Sequence, residues 1–264
     1  MIDLSTDRGL TLGVGLFETL QVRGGEAQLW DEHLARLARG CARLGLPAPG
    51  PDLCRAAAEE ALRSAGLEGS DAALRLTWTG GPGARGLDPP PAPAPRLLAK
   101  ASPLAPPPAA LALHLSGVRR NASSPTSRLK TLSSLDQTIA RAEARAVGAD
   151  EALMLNTDGA VACVAAGNIF WLSDGALYTP ALDCGVLDGV IRGWIIAAER
   201  ARGRPVIETT APLSTLLAAD AVFVSNSLIG VVPVSRVGER RFPVGRFELS
   251  AALPADGGLG DPHA

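Results

Sequence analysis

The chain of 264 residues carries 25 basic and 27 acidic side chains, and its formal net charge of −2 argues against nucleic acid and anionic membranes as partners. Hydrophobic residues make up 47% of the sequence, enough for the core of one large domain or two small ones, and no apolar run of about 20 residues predicts a membrane span. Because the N-terminus lacks a secretory signal pattern and the four cysteines and three histidines lack metal-site spacing, we expect a cytoplasmic protein with reduced thiols and no metal.

The first elements predicted are a hairpin and a helix. Residues 10–30 alternate as two strands around a Gly-Gly turn, which predicts the hairpin. Asp31 is a suitable N-cap for a helix over residues 32–45, whose apolar stripe leaves Arg36 beside it. From its position in the helix alone, Arg36 can simply be a surface arginine. A second helix over residues 52–65 and a strand over residues 73–79 are predicted next.

A loop rich in glycine and proline follows over residues 80–96, and its composition excludes regular structure over most of its length. The loop contains Arg85, which either is solvated or contacts a ligand. Strands are predicted near residues 96–102 and 110–117, and the proline-rich segment between them is typical of a linker. We therefore predict a small α/β domain over residues 1–105 and a larger domain over residues 106–264, with a small-molecule site in the cleft between them.

Lys130 is one of only two lysines among the 25 basic residues, the other being Lys100. Arginine keeps its proton because its pKa exceeds about 12, whereas a deprotonated lysine can form a Schiff base with an aldehyde. The local sequence by itself favours the simpler interpretation, in which Lys130 is a solvated lysine in a polar loop.

The residues after Lys130 predict a helix and two hairpins. The helix covers residues 134–147 and presents Leu135, Ile139, Ala142 and Ala146 on one face. The strands are four short apolar runs, separated by turns at Asp158-Gly159 and Asp174-Gly175. Their sequences are EALMLN, AVACV, GNIFWL and ALYTP.

Two later segments have the composition of phosphate-binding sites. Asp188-Gly189 precedes a helix that begins at Val190, and a helix start led by glycine can bind a phosphate with bare amides. The buried strand AVFVSNS ends in Ser225, Asn226 and Ser227. These three residues either form a turn or supply donors to a phosphate.

This order of motifs resembles the class IV aminotransferase family, the fold-type IV pyridoxal-phosphate enzymes. The resemblance covers roughly residues 7 to 237, and the loop SNSLIG brings the chain nearest to the 4-amino-4-deoxychorismate lyase branch of the family. The matching segments are residues 7–22, 33–37, 129–130, 148–159, 165–171, 177–180, 187–192 and 218–234.

The resemblance implies an α+β fold with two domains, in which the larger domain is a pseudo-barrel that carries Lys130 as the Schiff-base lysine for pyridoxal 5'-phosphate. It also implies a small amino substrate and a homodimer. The remaining cofactor contacts that it implies are Arg36, Cys163, Asn168, Val190, Ile191, Ser225, Asn226 and Ser227, and the substrate contact that it implies is Arg85.

The chain departs from the family at Cys163, five residues before Asn168, where family members usually carry a glutamate that pairs with the pyridine nitrogen. A neutral thiol carries no charge and does not keep the pyridine nitrogen protonated as the glutamate does. We therefore expect the rate of transamination to fall more than the rate of elimination. Three hypotheses remain open. They are a 4-amino-4-deoxychorismate lyase that releases pyruvate and 4-aminobenzoate for folate synthesis, an aminotransferase for branched-chain or D-amino acids, and a catalytically degenerate family member.

Overall fold

The structure, a computed structural model, describes residues 4–245 and Leu249. Contacts between residues divide the chain into two compact units. Residues up to 105 group with residues 129–133, whereas residues 106–128 group with residues 134–245 and Leu249. The segment that contains Lys130 thus lies with the first unit, although the sequence-based division assigned it to the domain over residues 106–264.

The first unit is an antiparallel sheet of four strands in the order β2-β1-β3-β4, covered by helices on one face. Leu16 of its first strand packs with Leu37 of the second helix, and Leu20 packs with Cys54 of the third helix. The hairpin predicted within residues 10–30, the helix predicted over residues 52–65 and the strand predicted over residues 73–79 are confirmed. The elements are α1 (Arg8–Leu12), β1 (Gly15–Arg23), β2 (Glu26–Ala27), α2 (Trp30–Leu44), α3 (Pro51–Ser64), β3 (Ala72–Thr79) and β4 (Arg96–Pro103).

Two helix starts in this unit differ from the sequence analysis. Asp31 as the N-cap of α2 is wrong, because the helix begins at Trp30 and the N-cap is Leu29, with a left-handed φ of 52° and no side-chain cap. Burial of the Leu29 side chain, which is only 1% exposed, accounts for this unusual cap. Helix α1 was not predicted, although Asp7 caps it by accepting a hydrogen bond from the amide of Gly9 at 2.8 Å.

The second unit contains a mixed sheet in the order β10-β9-β8-β11-β12-β5-β6-β7, with β13 paired to β12. The predicted hairpins β6–β7 and β8–β9 are confirmed, as is the α+β fold class with its curled half-barrel sheet. The elements are β5 (Leu111–Leu115), α4 (Leu135–Ala146), β6 (Glu151–Leu155), β7 (Val161–Val164), β8 (Asn168–Ser173), β9 (Ala176–Pro180), α5 (Val190–Ala201), β10 (Val206–Thr209), α6 (Leu213–Leu217), β11 (Ala221–Asn226), β12 (Gly230–Val237) and β13 (Arg240–Arg241).

The apolar face predicted for α4 is wrong. Leu135 is 69% exposed and Ile139 is 45% exposed, whereas Ala140 and Ala144 are fully buried. The two alanines belong to a buried cluster with Met154 of β6. Small side chains let the helix approach the sheet closely, so the face that packs is the one with the least bulk.

The apolar residues of β8 and β11 contribute to the core of the second unit, and polar residues lie where the two strands end together. Ile169 and Val224 are opposite each other and buried. One position further, Ser225 lies opposite Asn168. The sheet therefore sets these two polar residues next to each other. In the part of the chain that the structure describes, no helix is both long enough and apolar enough to cross a membrane.

Candidate active site

The backbone around Lys130 is fixed against the edge of β1. The amide of Phe17 donates a hydrogen bond to the carbonyl of Lys130 at 2.9 Å, and the amide of Leu132 donates to the carbonyl of Gly15 at 3.1 Å. Strand β2 pairs only with the other end of β1. Since backbone groups at a strand edge need partners, residues 130–132 occupy the part of the edge that β2 leaves open.

The amine of Lys130 lies over an aromatic ring in a region of positive charge. Its Nζ is 4.4 Å from the ring centroid of Phe17, and the guanidinium carbon of Arg75 is 3.6 Å from the same centroid. The pKa of Lys130 is lowered to about 8, mainly by loss of hydration and then by the charge of Arg36; Glu18 acts in the opposite direction, and Arg75 adds a smaller lowering. A substantial fraction of this amine is therefore unprotonated in mildly alkaline solution.

Glu18 is a buried carboxylate shared by two residues of α2. It is 1% exposed, and it lies 2.7 Å from Nδ1 of His33, 2.9 Å from Nε of Arg36 and 2.5 Å from Nη2 of Arg36. Burial raises the pKa of Glu18, but the hydrogen bonds from His33 and Arg36 outweigh it and bring the pKa to about 2. Burial lowers the pKa of His33. The histidine is then neutral and donates its Nδ1 proton to an ionised carboxylate.

The two arginines predicted as ligand contacts differ in their environment. Arg36 is held by Glu18 and its side chain is only 10% exposed. Arg85 lies exposed in the loop between β3 and β4, and its side chain makes no hydrogen bond or ion pair among the described residues. The structure thus brings Arg36 together with Lys130 in one charged cluster, and leaves Arg85 in contact with solvent.

The start of α5 is built for an external hydrogen-bond acceptor. Its N-cap is Gly189, which has no side chain to cap the amides of Val190 and Ile191, and no acidic residue lies in its first turn. A Cβ atom on Gly189 would lie 2.1 Å from Oδ1 of Asn168. Asn168 also donates from Nδ2 to the carbonyl of Leu187 at 2.9 Å. Helix starts of this kind bind phosphate through unpaired amides and the helix dipole.

Ser225 lies at the end of β11, opposite Asn168. Its hydroxyl is buried, with the residue 1% exposed, and has no hydrogen-bond partner among the described residues. A buried hydroxyl without a partner is costly. Together with the uncapped start of α5, it makes a donor set that fits a phosphate group. Each unit by itself therefore offers groups that suit pyridoxal phosphate: the second unit has these phosphate donors, and the first unit has the low-pKa amine of Lys130.

Asn226 is the last residue of β11, and Ser227 begins the turn between β11 and β12. The side chain of Asn226 accepts hydrogen bonds from the amides of Leu228 at 2.9 Å and Ile229 at 3.0 Å, and donates to the carbonyl of Ala166 at 2.8 Å. The amide side chain of Asn226 therefore ties this turn to the segment before β8. Its role as a cofactor contact stays a prediction, as does that of Ser227.

Cys163 lies on β7 opposite Met154 and is 8% exposed. Burial raises the pKa of its thiol to about 11, against a weaker lowering by the charge of Arg120. The thiol is therefore neutral near pH 7 and supplies no negative charge to whatever it contacts.

Sequence reasoning missed four residues of the charged cluster around Lys130. Two of them were detectable, because Glu18 alternates with Leu16 and Leu20 on the core face of a strand, and a carboxylate in that position requires buried partners. His33, three residues before Arg36, supplies one such partner. Nothing in the sequence pairs Phe17 with Arg75, since their contact depends on the register between β1 and β3.

The chain is similar to known enzymes over nearly its whole length. A model of the family described as amino-transferase class IV matches residues 15–237. The aminodeoxychorismate lyase of Bacillus subtilis is 29% identical over 255 residues, which cover 94% of this chain and 85% of the relative. A putative branched-chain-amino-acid aminotransferase of Methanocaldococcus jannaschii is 30% identical over 238 residues, which cover 89% of this chain and 82% of that relative.

Among solved structures, the 4-amino-4-deoxychorismate lyase of Pseudomonas aeruginosa superposes with a TM-score of 0.83 at 35% identity, over 93% of this chain and 92% of that one. With the match over residues 15–237, the chain belongs to the class IV aminotransferase family, which depends on pyridoxal phosphate.

Proposed function

We propose that the chain is a pyridoxal-phosphate-dependent lyase that converts 4-amino-4-deoxychorismate into 4-aminobenzoate and pyruvate, a step toward folate. Similarity to two lyases over more than nine tenths of the chain supports the proposal. Similarity to an aminotransferase covers almost as much. The observation that favours the lyase is the neutral thiol of Cys163.

Cys163 stands where family members usually carry a glutamate beside the pyridine nitrogen. Bound pyridoxal phosphate supplies a conjugated ring that accepts the electron pair left on the substrate carbon, and protonation of its nitrogen strengthens that capacity. Because burial raises the pKa of Cys163 to about 11, the thiol does not stabilise a protonated nitrogen as a carboxylate does. Transamination depends on this capacity in two half-reactions, so the change costs it more than it costs a single elimination.

The proposal assigns tasks to most of the predicted site residues. Lys130 attaches the cofactor aldehyde and, once released by the substrate, holds and moves a proton; a pKa of about 8 suits both tasks. Arg36 supplies positive charge for the phosphate. The amides of Val190 and Ile191 and the hydroxyl of Ser225 supply neutral donors. Arg85 contacts an anionic group of the substrate.

The first experiment is the absorption spectrum of the purified protein with added pyridoxal phosphate, compared with the Lys130→Ala variant. We expect a band near the visible edge that requires Lys130. If no lysine-dependent band forms, the chain is a degenerate family member that keeps the scaffold without the chemistry.

Product analysis then separates the two enzymatic hypotheses. A lyase forms 4-aminobenzoate and pyruvate from 4-amino-4-deoxychorismate, whereas an aminotransferase consumes glutamate in the presence of a keto acid. Robust transamination of branched-chain keto acids with glutamate, or of D-amino acids with a keto acid, and no 4-aminobenzoate, would replace the lyase proposal with the aminotransferase. The expected homodimer is tested in the same preparation by light scattering, where a mass near twice 27.1 kDa is expected.

A further inference from the structure

Arg8 is a buried arginine whose partners are backbone carbonyls. It is 5% exposed, and it donates from Nη1 to the carbonyl of Gly86 at 3.2 Å and from Nη2 to the carbonyl of Leu87 at 2.9 Å. No carboxylate pairs with its side chain among the described residues. Burial of a guanidinium is costly, and a residue on the short helix α1 can otherwise point toward solvent. Both carbonyls belong to the two residues that directly follow Arg85.

The loop between β3 and β4 is shaped around the stem of this arginine. A Cβ atom on Gly83 would lie 2.6 Å from Cδ of Arg8, so only glycine allows the loop backbone to lie so near. The amide of Gly83 donates to the carbonyl of Thr6 at 3.0 Å, and the amide of Arg8 donates to the carbonyl of Gly81 at 2.8 Å. The loop and the segment before α1 are therefore joined by backbone as well as side-chain hydrogen bonds.

The neighbouring residue, Asp7, holds the two ends of the same loop. Its Oδ2 accepts hydrogen bonds from Oγ1 of Thr79 at 2.9 Å and from Nη1 of Arg96 at 3.3 Å. Thr79 is the last residue of β3 and Arg96 is the first residue of β4. Asp7 thus fixes where the loop begins and ends, and Arg8 fixes its middle.

We propose that Arg8 is a positioning residue for substrate binding, whose guanidinium clamps the carbonyls of Gly86 and Leu87 and thereby sets the direction of the exposed Arg85 side chain. The proposal rests on the proposed role of Arg85 as the contact to an anionic group of the substrate. Gly86 adopts a φ of +112°, a conformation that other residues rarely adopt, so the turn after Arg85 is specific. Without the clamp, Arg85 samples many positions and its contact with the substrate carries a larger entropic cost.

Limited trypsin digestion tests the clamp without any assay of activity. Trypsin cleaves after exposed arginines, and the Arg85–Gly86 bond lies next to the clamped carbonyls. Opening of the loop in the wild type must break the two charge-assisted hydrogen bonds from Arg8. These bonds are absent in Arg8→Gln, so the loop opens more often and we expect the cleavage rate at this bond to rise by about tenfold or more. Arg23→Gln is the matched control, since Arg23 is an exposed arginine of the same unit that pairs with Asp71. A cleavage rate at Arg85 unchanged in Arg8→Gln would overturn the proposal.

Two further variants keep the test decisive if Arg8→Gln folds poorly. Arg8→Lys keeps the charge and the stem but offers one ammonium for two carbonyls, and we expect an intermediate rate. Gly83→Ala keeps the arginine at position 8 but adds a methyl group that collides with Cδ of its side chain. Faster cleavage confined to the Arg85–Gly86 bond in both variants supports the clamp; faster cleavage at every arginine indicates global unfolding and contradicts it.

Steady-state kinetics with 4-amino-4-deoxychorismate test the consequence for binding. We expect Arg8→Gln and Arg85→Ala each to raise KM by about tenfold with little change in kcat, and the double variant to be no worse than Arg85→Ala alone, since residues that act through one contact are not additive. If Arg85→Ala leaves KM unchanged while Arg8→Gln still exposes the bond to trypsin, the proposed role of Arg85 fails and the clamp stands. If Arg85→Ala raises KM and Arg8→Gln changes neither readout, the clamp fails alone.

Discussion

Glu18 binds Arg36 side-on, with Nε at 2.9 Å and Nη2 at 2.5 Å from its two carboxylate oxygens. This geometry fixes the guanidinium plane. The same two residues act in opposite directions on the pKa of Lys130, which Arg36 lowers and Glu18 raises. One buried carboxylate therefore orients the arginine predicted to bind phosphate and also tunes the amine predicted to bind the cofactor aldehyde.

Acid should destabilise the protein partly through Glu18. Its pKa is about 2 in the folded protein against an ordinary value of 4.5, so the unfolded chain takes up a proton first as the pH falls. The stabilisation is fully present above about pH 4.5 and is lost toward pH 2, on the order of 3 kcal/mol. We expect the free energy of unfolding in urea to fall less steeply with acid in Glu18→Gln than in the wild type. If the free energy of unfolding falls equally steeply with pH in both proteins, the pKa of Glu18 is not lowered in the folded protein.

The pKa of Lys130 should respond to Arg36. In protein free of cofactor, we expect labelling of Lys130 by an amine-specific reagent to have its midpoint near pH 8, with Lys100 in the same digest as an internal reference for the reagent. Arg36→Gln removes a positive charge near the amine and should move the midpoint to higher pH. Arg39→Gln, an exposed arginine of the same helix, is the control and should leave it unchanged. A midpoint that moves equally in both variants contradicts a specific effect of Arg36.

Gly189→Ala should weaken cofactor binding. The added Cβ would lie 2.1 Å from Oδ1 of Asn168, so the first turn of α5 must shift. We expect the Kd for pyridoxal phosphate, measured by absorbance titration, to rise about tenfold or more as the amides lose alignment. Gly193→Ala is the matched control, because a Cβ there meets nothing within 4 Å and alanine favours the helix by about 0.5–1 kcal/mol. The same Kd in both variants would mean that the start of α5 does not bind the cofactor.

Ser225→Ala should separate the stability of the free protein from affinity for the cofactor. The Ser225 hydroxyl is buried and has no partner among the described residues, so its removal should leave the free energy of unfolding of the cofactor-free protein unchanged or about 1 kcal/mol higher. The Kd for pyridoxal phosphate should rise about tenfold, because a donor to the phosphate is lost. Ser214→Ala, an exposed serine on α6, should change neither quantity. A destabilised free protein with unchanged Kd would assign Ser225 a purely structural role.

Local patterns predicted the elements of this chain well and the contacts between them poorly. The strand pairs around Asp158-Gly159 and Asp174-Gly175 follow from alternation and turn chemistry, which are properties of a few consecutive residues. The buried face of α4 does not, because Ala140 and Ala144 pack where the space is small and leave the larger Ile139 exposed.

The candidate site shows the same contrast between local patterns, which the sequence reveals, and distant contacts, which it does not. Lys130 and the start of α5 stand out in sequence, one by scarcity and the other by its leading Gly189. The partners of Glu18 and Arg8 cannot be found from local sequence, because they lie 18 positions away at Arg36 and 78 positions away at Gly86. Charged residues in apolar segments are the signal that points to such partners, and only the tertiary structure identifies them.

Cys163→Glu should move the enzyme toward transamination. The substitution restores the carboxylate that the family usually carries at this position. The charge of Arg120 favours its ionised form, whereas burial and the charge of Glu151 act against it. We expect glutamate-dependent turnover with keto acids to rise about tenfold or more, equal to about 1.4 kcal/mol of transition-state stabilisation, with no gain in 4-aminobenzoate formation. Cys163→Ser, which is similar in size and uncharged, is the control and should show no gain in transamination. If Cys163→Glu binds pyridoxal phosphate but gains no transamination, the thiol is not what favours elimination in this chain.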